Sequence, residues 1–146
     1  MEGLNDFLNA MGQRASLLSN VYYVLGGAAS STLALQKRRI FADGLRPDGT
    51  EIGVYSPEYL ERREKEFNRQ GTRVILTATA QMRNDYSVVV GLNFVGIGFQ
   101  NPFNAEKAEK NEKRYKSAIF SLSEGEKRTL LELTQKRVKD VLLGLA

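Results

Sequence analysis

At 146 residues the chain is long enough for one domain with a buried core, and it contains neither cysteine nor histidine. Those two absences remove disulfides, thiolate chemistry, the usual zinc sites and the commonest general base. The 21 basic residues exceed the 17 acidic ones by four, a thin excess interleaved with carboxylates, unlike the concentrated stripe of a dedicated nucleic-acid binder.

The first element is a long amphipathic helix. Leu4, Leu8, Met11, Ala15, Leu18, Tyr22 and Leu25 recur at alternating steps of four and three, which sets one apolar seam along a helix. Phe7, Leu17, Val21 and Val24 widen that seam. Two readings of it stay open: a helix packed on its own domain, or one whose Leu4, Leu8, Met11, Leu18, Tyr22 and Leu25 meet a neighbouring subunit. No residue from Ala15 to Gln36 is charged, which a membrane span or signal peptide would require. Ser16, Ser19, Asn20, Ser30, Ser31, Thr32 and the Gly26-Gly27 pair argue against both, because polar groups are costly in hydrocarbon. No membrane contact is expected. Burial on several sides explains the stretch better, and an oligomer supplies it. Gly26-Gly27 should either kink the helix or admit another backbone, with the helix resuming through Leu33, Leu35 and Ile40 to end near Asp43-Gly44. Lys37-Arg38-Arg39 then falls at its C-terminal end, where cations suit the helix dipole. The competing role for these three is contact with DNA phosphate or a partner, non-specific and salt-dependent.

Pro47-Asp48-Gly49 is a turn, the proline presetting one φ and the glycine supplying a positive one. A short apolar run, Ile52 to Tyr55, follows as an expected strand. Ser56 as cap, Pro57 at the first helical position and Glu58 in the first turn start a helix that should stop near Gly71. Val74 to Thr77 reads as a strand, Thr79 to Asp85 as a turn or single helical turn, and Tyr86 to Val90 as another strand. Tyr86–Val90 and Phe94–Phe99 should form a hairpin around Gly91-Leu92-Asn93, with Gly96 and Gly98 on one face, where glycine marks close approach by a helix or another chain.

Asn101-Pro102 breaks that strand, and Asn104 to Lys113 is a short polar helix with a solvated, charge-alternating face. Arg114 to Leu122 is expected to be extended. Ser123 and Glu126 form a capping box for a last helix reaching about Leu143, with Leu130, Thr134, Val138, Val141 and Leu145 along one side.

Chemistry-bearing constellations are absent from this pattern. Gly96-x-Gly98 is the nearest approach to a phosphate loop, but it lies within an expected strand and lacks the lysine and following helix. Asp43, Asp48, Glu51 and Asp85 lack metal-ligand spacing, and Asp43 and Asp48 each precede a glycine, as turns require. A hydroxyl nucleophile needs an activating base, and no lysine or carboxylate is singled out for that role. Tyr22-Tyr23 and the Tyr55/Tyr59 pair read as core or interface anchors. No catalytic, cofactor-binding or metal-ligating residue is assigned, no cofactor is expected, and the chain is not expected to be an enzyme.

Asp48-Gly49, Ile52-Gly53-x-Tyr55-Ser56-x-x-Tyr59, the Arg/Glu/Lys-rich helix, Val74-x-Leu76-Thr77-x-Thr79 and Gln81-Met82 occur in an order that resembles a known family. The later Gly96-Ile97-Gly98-Phe99, Asn104-Ala105-x-Lys107-Ala108 and Ile119-Phe120-x-Leu122-Ser123 match it too. The family is that of the neck or tail-completion proteins of tailed bacteriophages, which join head to tail during virion morphogenesis. The likeness covers roughly residues 38 to 140, with one departure: the family carries glycine after the threonine where this chain has Ala80. The resemblance implies a structural virion component, made in the host cytoplasm. It would form a homo-oligomeric ring of six or twelve copies between head-connector and tail proteins, with genome DNA passing close by without sequence recognition. The alternative from another class is a small soluble module that binds DNA non-specifically or assists packaging. The expected architecture is α+β, one domain over 1–146. Residues 1–42 would be its long helical region, and 43–146 a body with a small, mostly antiparallel sheet, short central helices and a C-terminal helix.

Overall fold

The computed structural model describes residues 2–144, with side-chain surroundings for all of these except residues 2, 3, 14, 15, 17, 18 and 20. The chain is α+β. Helix α1 (Glu2–Phe41) is followed by α2 (Pro57–Phe67), α3 (Gln81–Asp85), strand β1 (Tyr86–Val90), strand β2 (Val95–Phe99), α4 (Pro102–Tyr115) and α5 (Glu124–Leu142).

Helix α1 runs 40 residues without a break at Gly26-Gly27. Ser30, Ser31 and Thr32 donate back to the carbonyls of Gly26, Gly27 and Ala28 at 2.8, 3.3 and 3.0 Å, which satisfies their hydroxyls inside the helix. Thr32 is thereby buried with its hydroxyl satisfied, while Ser30 and Ser31 remain at the surface. The glycine pair admits a side chain in place of the expected backbone: a Cβ on Gly27 would collide with the guanidinium of Arg137 on α5. Helices α1 and α5 are antiparallel, with Arg39 opposite Glu126 and Gly27 opposite Arg137, so α5 ends beside Tyr22. The face that α5 turns inward carries Leu130, Leu133, Thr134, Arg137 and Val141, while Val138 points outward. Leu145 lies outside the described residues.

A buried clasp joins these two helices at the end nearer the core. The capping box is present, Ser123 accepting from the Glu126 N–H at 3.2 Å and Glu126 accepting from the Ser123 N–H at 2.8 Å. The same carboxylate takes both Nε (2.7 Å) and Nη2 (3.2 Å) of Arg39. The remaining guanidinium hydrogens go to the carbonyls of Leu45, Ile119 and Ser121 at 3.0, 3.2 and 2.8 Å.

The core is centred where the C-terminal end of α1 meets the body. Ile40, Phe41, Ile52, Tyr55, Val74, Met82, Tyr86, Ala108 and Ile119 form one buried cluster. The rings of Phe41, Tyr86, Phe99 and Phe120 pack edge-on or tilted at 4.9 to 6.3 Å, in the range where aromatic pairs add to simple burial. The hairpin pairs Tyr86 with Phe99 through to Val90 with Val95, and Gly91 N–H closes it on the Phe94 carbonyl at 2.9 Å.

Three expected extended segments differ. Ile52–Tyr55 makes a single isolated bridge, Val54 with Arg73 just before the second segment, and Val74–Thr77 makes none; another isolated bridge, Leu45 with Glu51, closes the turn around Pro47-Asp48-Gly49. The cause is a tertiary contact: the Tyr55 hydroxyl accepts from the N–H groups of Ile75 (3.1 Å) and Leu76 (3.2 Å), and Leu76 turns to φ +50, which ends any strand. Arg114–Leu122 is not extended either. Helix α4 continues to Tyr115, Lys116 stops it at φ +49, and tight turns drive Ile119 into the core. Helix α2 stops before Gly71 because Asn68 takes the left-handed cap at φ +48.

Candidate assembly surface

What reaches solvent is more telling than what lies inside. Along α1, Leu4 (62 % exposed), Phe7 (58 %), Leu8 and Met11 stand free, and every described side chain from residue 4 to 21 is exposed. Tyr22 and Leu25 are half-buried, and Val24 is the first buried one among the described side chains. Leu18 lies outside the described side chains. The expected seam is thus divided by where α5 ends: below Tyr22 it packs on the chain's own body, and above it the described side chains stand uncovered. At a rise of ~1.5 Å per residue, the stretch from Leu4 to Tyr22 extends roughly 27 Å.

A second apolar feature stands at the root of this arm. The hairpin tip exposes Val90, Leu92 (93 %) and Phe94, and the Tyr22 hydroxyl donates to the Leu92 carbonyl. Turns ordinarily carry polar residues, so three apolar side chains at one tip, next to an uncovered apolar helix, form the kind of patch that marks an interaction site. The sequence holds the signal in Val90-x-Leu92-x-Phe94, two expected strand ends and the centre of the turn between them. The glycine face of the hairpin is open: a Cβ on Gly96 or Gly98 would meet only Phe94 at 3.8 Å or Val89 at 3.9 Å. Among the described residues no helix atom comes within 4 Å of either added Cβ, contrary to one of the two expected reasons for the glycines.

The basic run does not act as a unit. Arg38 is outward and only loosely paired, its Nε 3.6 Å from Asp43. Lys37 is half-buried, and burial, followed by repulsion from Arg83, lowers the pKa of its amine. Arg39, expected among the outward cations, is internal and fully occupied by the Glu126 clasp, so it faces neither DNA nor a partner. One turn of α1 places these neighbours on different faces, a distinction that adjacency in sequence hides.

Among the described residues no group of three metal-ligating side chains comes together, and no helix is long and apolar enough to cross a membrane. The arrangement offers apolar area and fixed geometry, the materials of an interface. No family model, no curated protein and no solved structure matches the chain.

Proposed function

We propose that the chain is a structural subunit that works by assembling with copies of itself, as a ring at the head–tail junction of a tailed phage. The observation that carries the assembly is the projecting half of α1, whose Leu4, Phe7, Leu8 and Met11 no described part of the chain covers. The sequence resemblance supplies the setting, with head-connector and tail proteins as neighbours above and below the ring. Rigid placement of the arm suits such a role, since a ring closes only if each subunit repeats the same angle. The α1–α5 pair and its clasp fix the direction in which the arm leaves the body. A DNA-binding module has less in its favour, because Arg39 is withdrawn from the most basic run.

The boundary seen at Tyr22 defines the test. Deleting residues 2–19 removes the arm and spares every body contact from Tyr22 onward. Native mass spectrometry over a range of concentrations should show oligomers of the full chain and only monomers of the shortened one. The circular dichroism melting transition should survive. Monomers for both chains at every concentration would reject the reading, as would loss of the cooperative transition, which would make the arm part of the core.

A further inference from the structure

A cleft of about 330 Å³ opens between α2, α3 and α4, at the small end of the ~300–1,000 Å³ typical of ligand sites. Its apolar lining includes Tyr59, Phe67, Met82 and Tyr115, and its basic side chains are Arg62, Lys107 and Arg114; no carboxylate lines it. Ion pairing on α4 sharpens the point. Lys110 and Lys113 each pair at 2.6 Å with the glutamate one turn before, Glu106 and Glu109. Lys107 and Arg114, two turns apart on the cleft side, make no ion pair among the described residues. Lys107 reaches only the neutral amide oxygen of Gln81, at 3.0 Å, and Arg114 lies 5.8 Å from the Tyr115 ring centroid. A partly apolar cleft with aromatic walls, bordered by two cations without counter-charges, calls for an apolar side chain that has a carboxylate beside it.

We propose that the occupant is the arm of a second copy, with Phe7 or Leu8 entering the cleft and Asp6 meeting Lys107 or Arg114. Two observations select it. Asp6 and Glu2 are the only carboxylates before Asp43, and Asp6 adjoins the exposed Phe7-Leu8 pair. The arm and cleft also lie at opposite ends of the molecule. Tyr55 and Met82, which line the cleft, share a core with Ile40 and Phe41 at the far end of α1. A 40-residue helix spans roughly 60 Å, so a chain cannot bring its own arm to its own cleft. A contact between different patches of identical chains is head-to-tail, the kind that generates rings when the rotation closes. The inference rests on the assembly reading above and specifies its contact.

The test uses the full chain with the photoreactive p-benzoylphenylalanine in place of Phe7, mixed in light and heavy isotopic forms. Irradiation should yield mixed-isotope crosslinks from position 7 to segments 59–67 and 107–115. Charge exchange gives a second readout. Asp6→Lys or Lys107→Glu alone should weaken assembly about tenfold or more, and the two together should restore most of it. Crosslinks from position 7 to another α1 or to the hairpin tip, in a chain that assembles, would overturn this contact and leave the assembly reading standing. Assembly unaffected by either charge change would do the same. A chain that stays monomeric and yields no mixed-isotope crosslinks would end both.

Discussion

Replacing Arg39 with methionine keeps most of the side-chain volume and removes all five guanidinium hydrogen bonds at once. The Glu126 side chain, 5 % exposed, would retain its bond from the Ser123 N–H but no counter-charge. Removing one partner of a buried pair generally costs ~3–5 kcal/mol, because the other charge is stranded out of water. The carbonyls of Leu45, Ile119 and Ser121 lose donors as well, so Arg39→Met should fall in the upper part of that range. Against a typical stability of ~5–15 kcal/mol this is severe, and it corresponds to a melting point lower by about 10 °C or more. Urea titration followed by circular dichroism measures the loss directly. Adding Glu126→Gln to Arg39→Met should recover part of it, since the amide oxygen still accepts from Ser123 N–H and no charge is left buried. A loss below about 1 kcal/mol for Arg39→Met, the range of surface ion pairs, would refute the reasoning. It would also return Arg39 to the set of outward cations available to DNA.

Two further outcomes concern the body. Burial pushes the Tyr86 hydroxyl up to about 12, with Arg39 opposing the shift and Glu126 adding to it. Between about pH 10 and that value the unfolded chain releases a proton that the folded chain keeps. Stability should therefore decline with rising pH by up to about 2–3 kcal/mol. Tyr86→Phe should flatten most of that decline in urea titrations at alkaline pH, leaving the part due to Tyr115, whose pKa burial also raises. Ala80 holds φ +59 at the position where the resembling family carries glycine, so Ala80→Gly should raise stability by up to about 1 kcal/mol. Gly44→Ala should do the reverse and more strongly. It has φ +65, and its added Cβ would collide with the Val74 carbonyl, so a melting point unchanged in either variant would contradict these backbone assignments.

Local signals were legible and tertiary ones were not. Ser56-Pro57 and the Ser123/Glu126 box set helix starts through bonds within four residues, and both stand where the sequence places them. The hairpin and the α+β class are likewise local in origin. The strands at Ile52–Tyr55 and Val74–Thr77 fail because one phenol, twenty residues away, captures the N–H groups that a ladder would use. The role of Arg39 depends on a glutamate 87 positions later. The seam on α1 reads as one continuous stripe, yet only the position of the end of α5 decides which half of it is covered. The cleft draws on three helices brought together by folding, so no contiguous motif announces it.

The uncovered half of α1 has a thermodynamic consequence. An isolated helix shorter than ~12–15 residues is marginal in water, and tertiary packing ordinarily provides most of its stability. Leu4 to Gln13 have no such packing among the described residues, and Gly12 lowers the intrinsic propensity further. Full helix formation there is thus linked to whatever covers it, and any shortfall in the free subunit subtracts from the affinity of the first contact. If copies assemble through this arm as proposed, pairs would associate weakly and a closed assembly strongly, so intermediates would stay sparse. Amide hydrogen exchange would see this as fast exchange along Leu4–Gln13 at low concentration and slow exchange when copies meet, with the Arg39–Glu126 end of the same helix protected throughout.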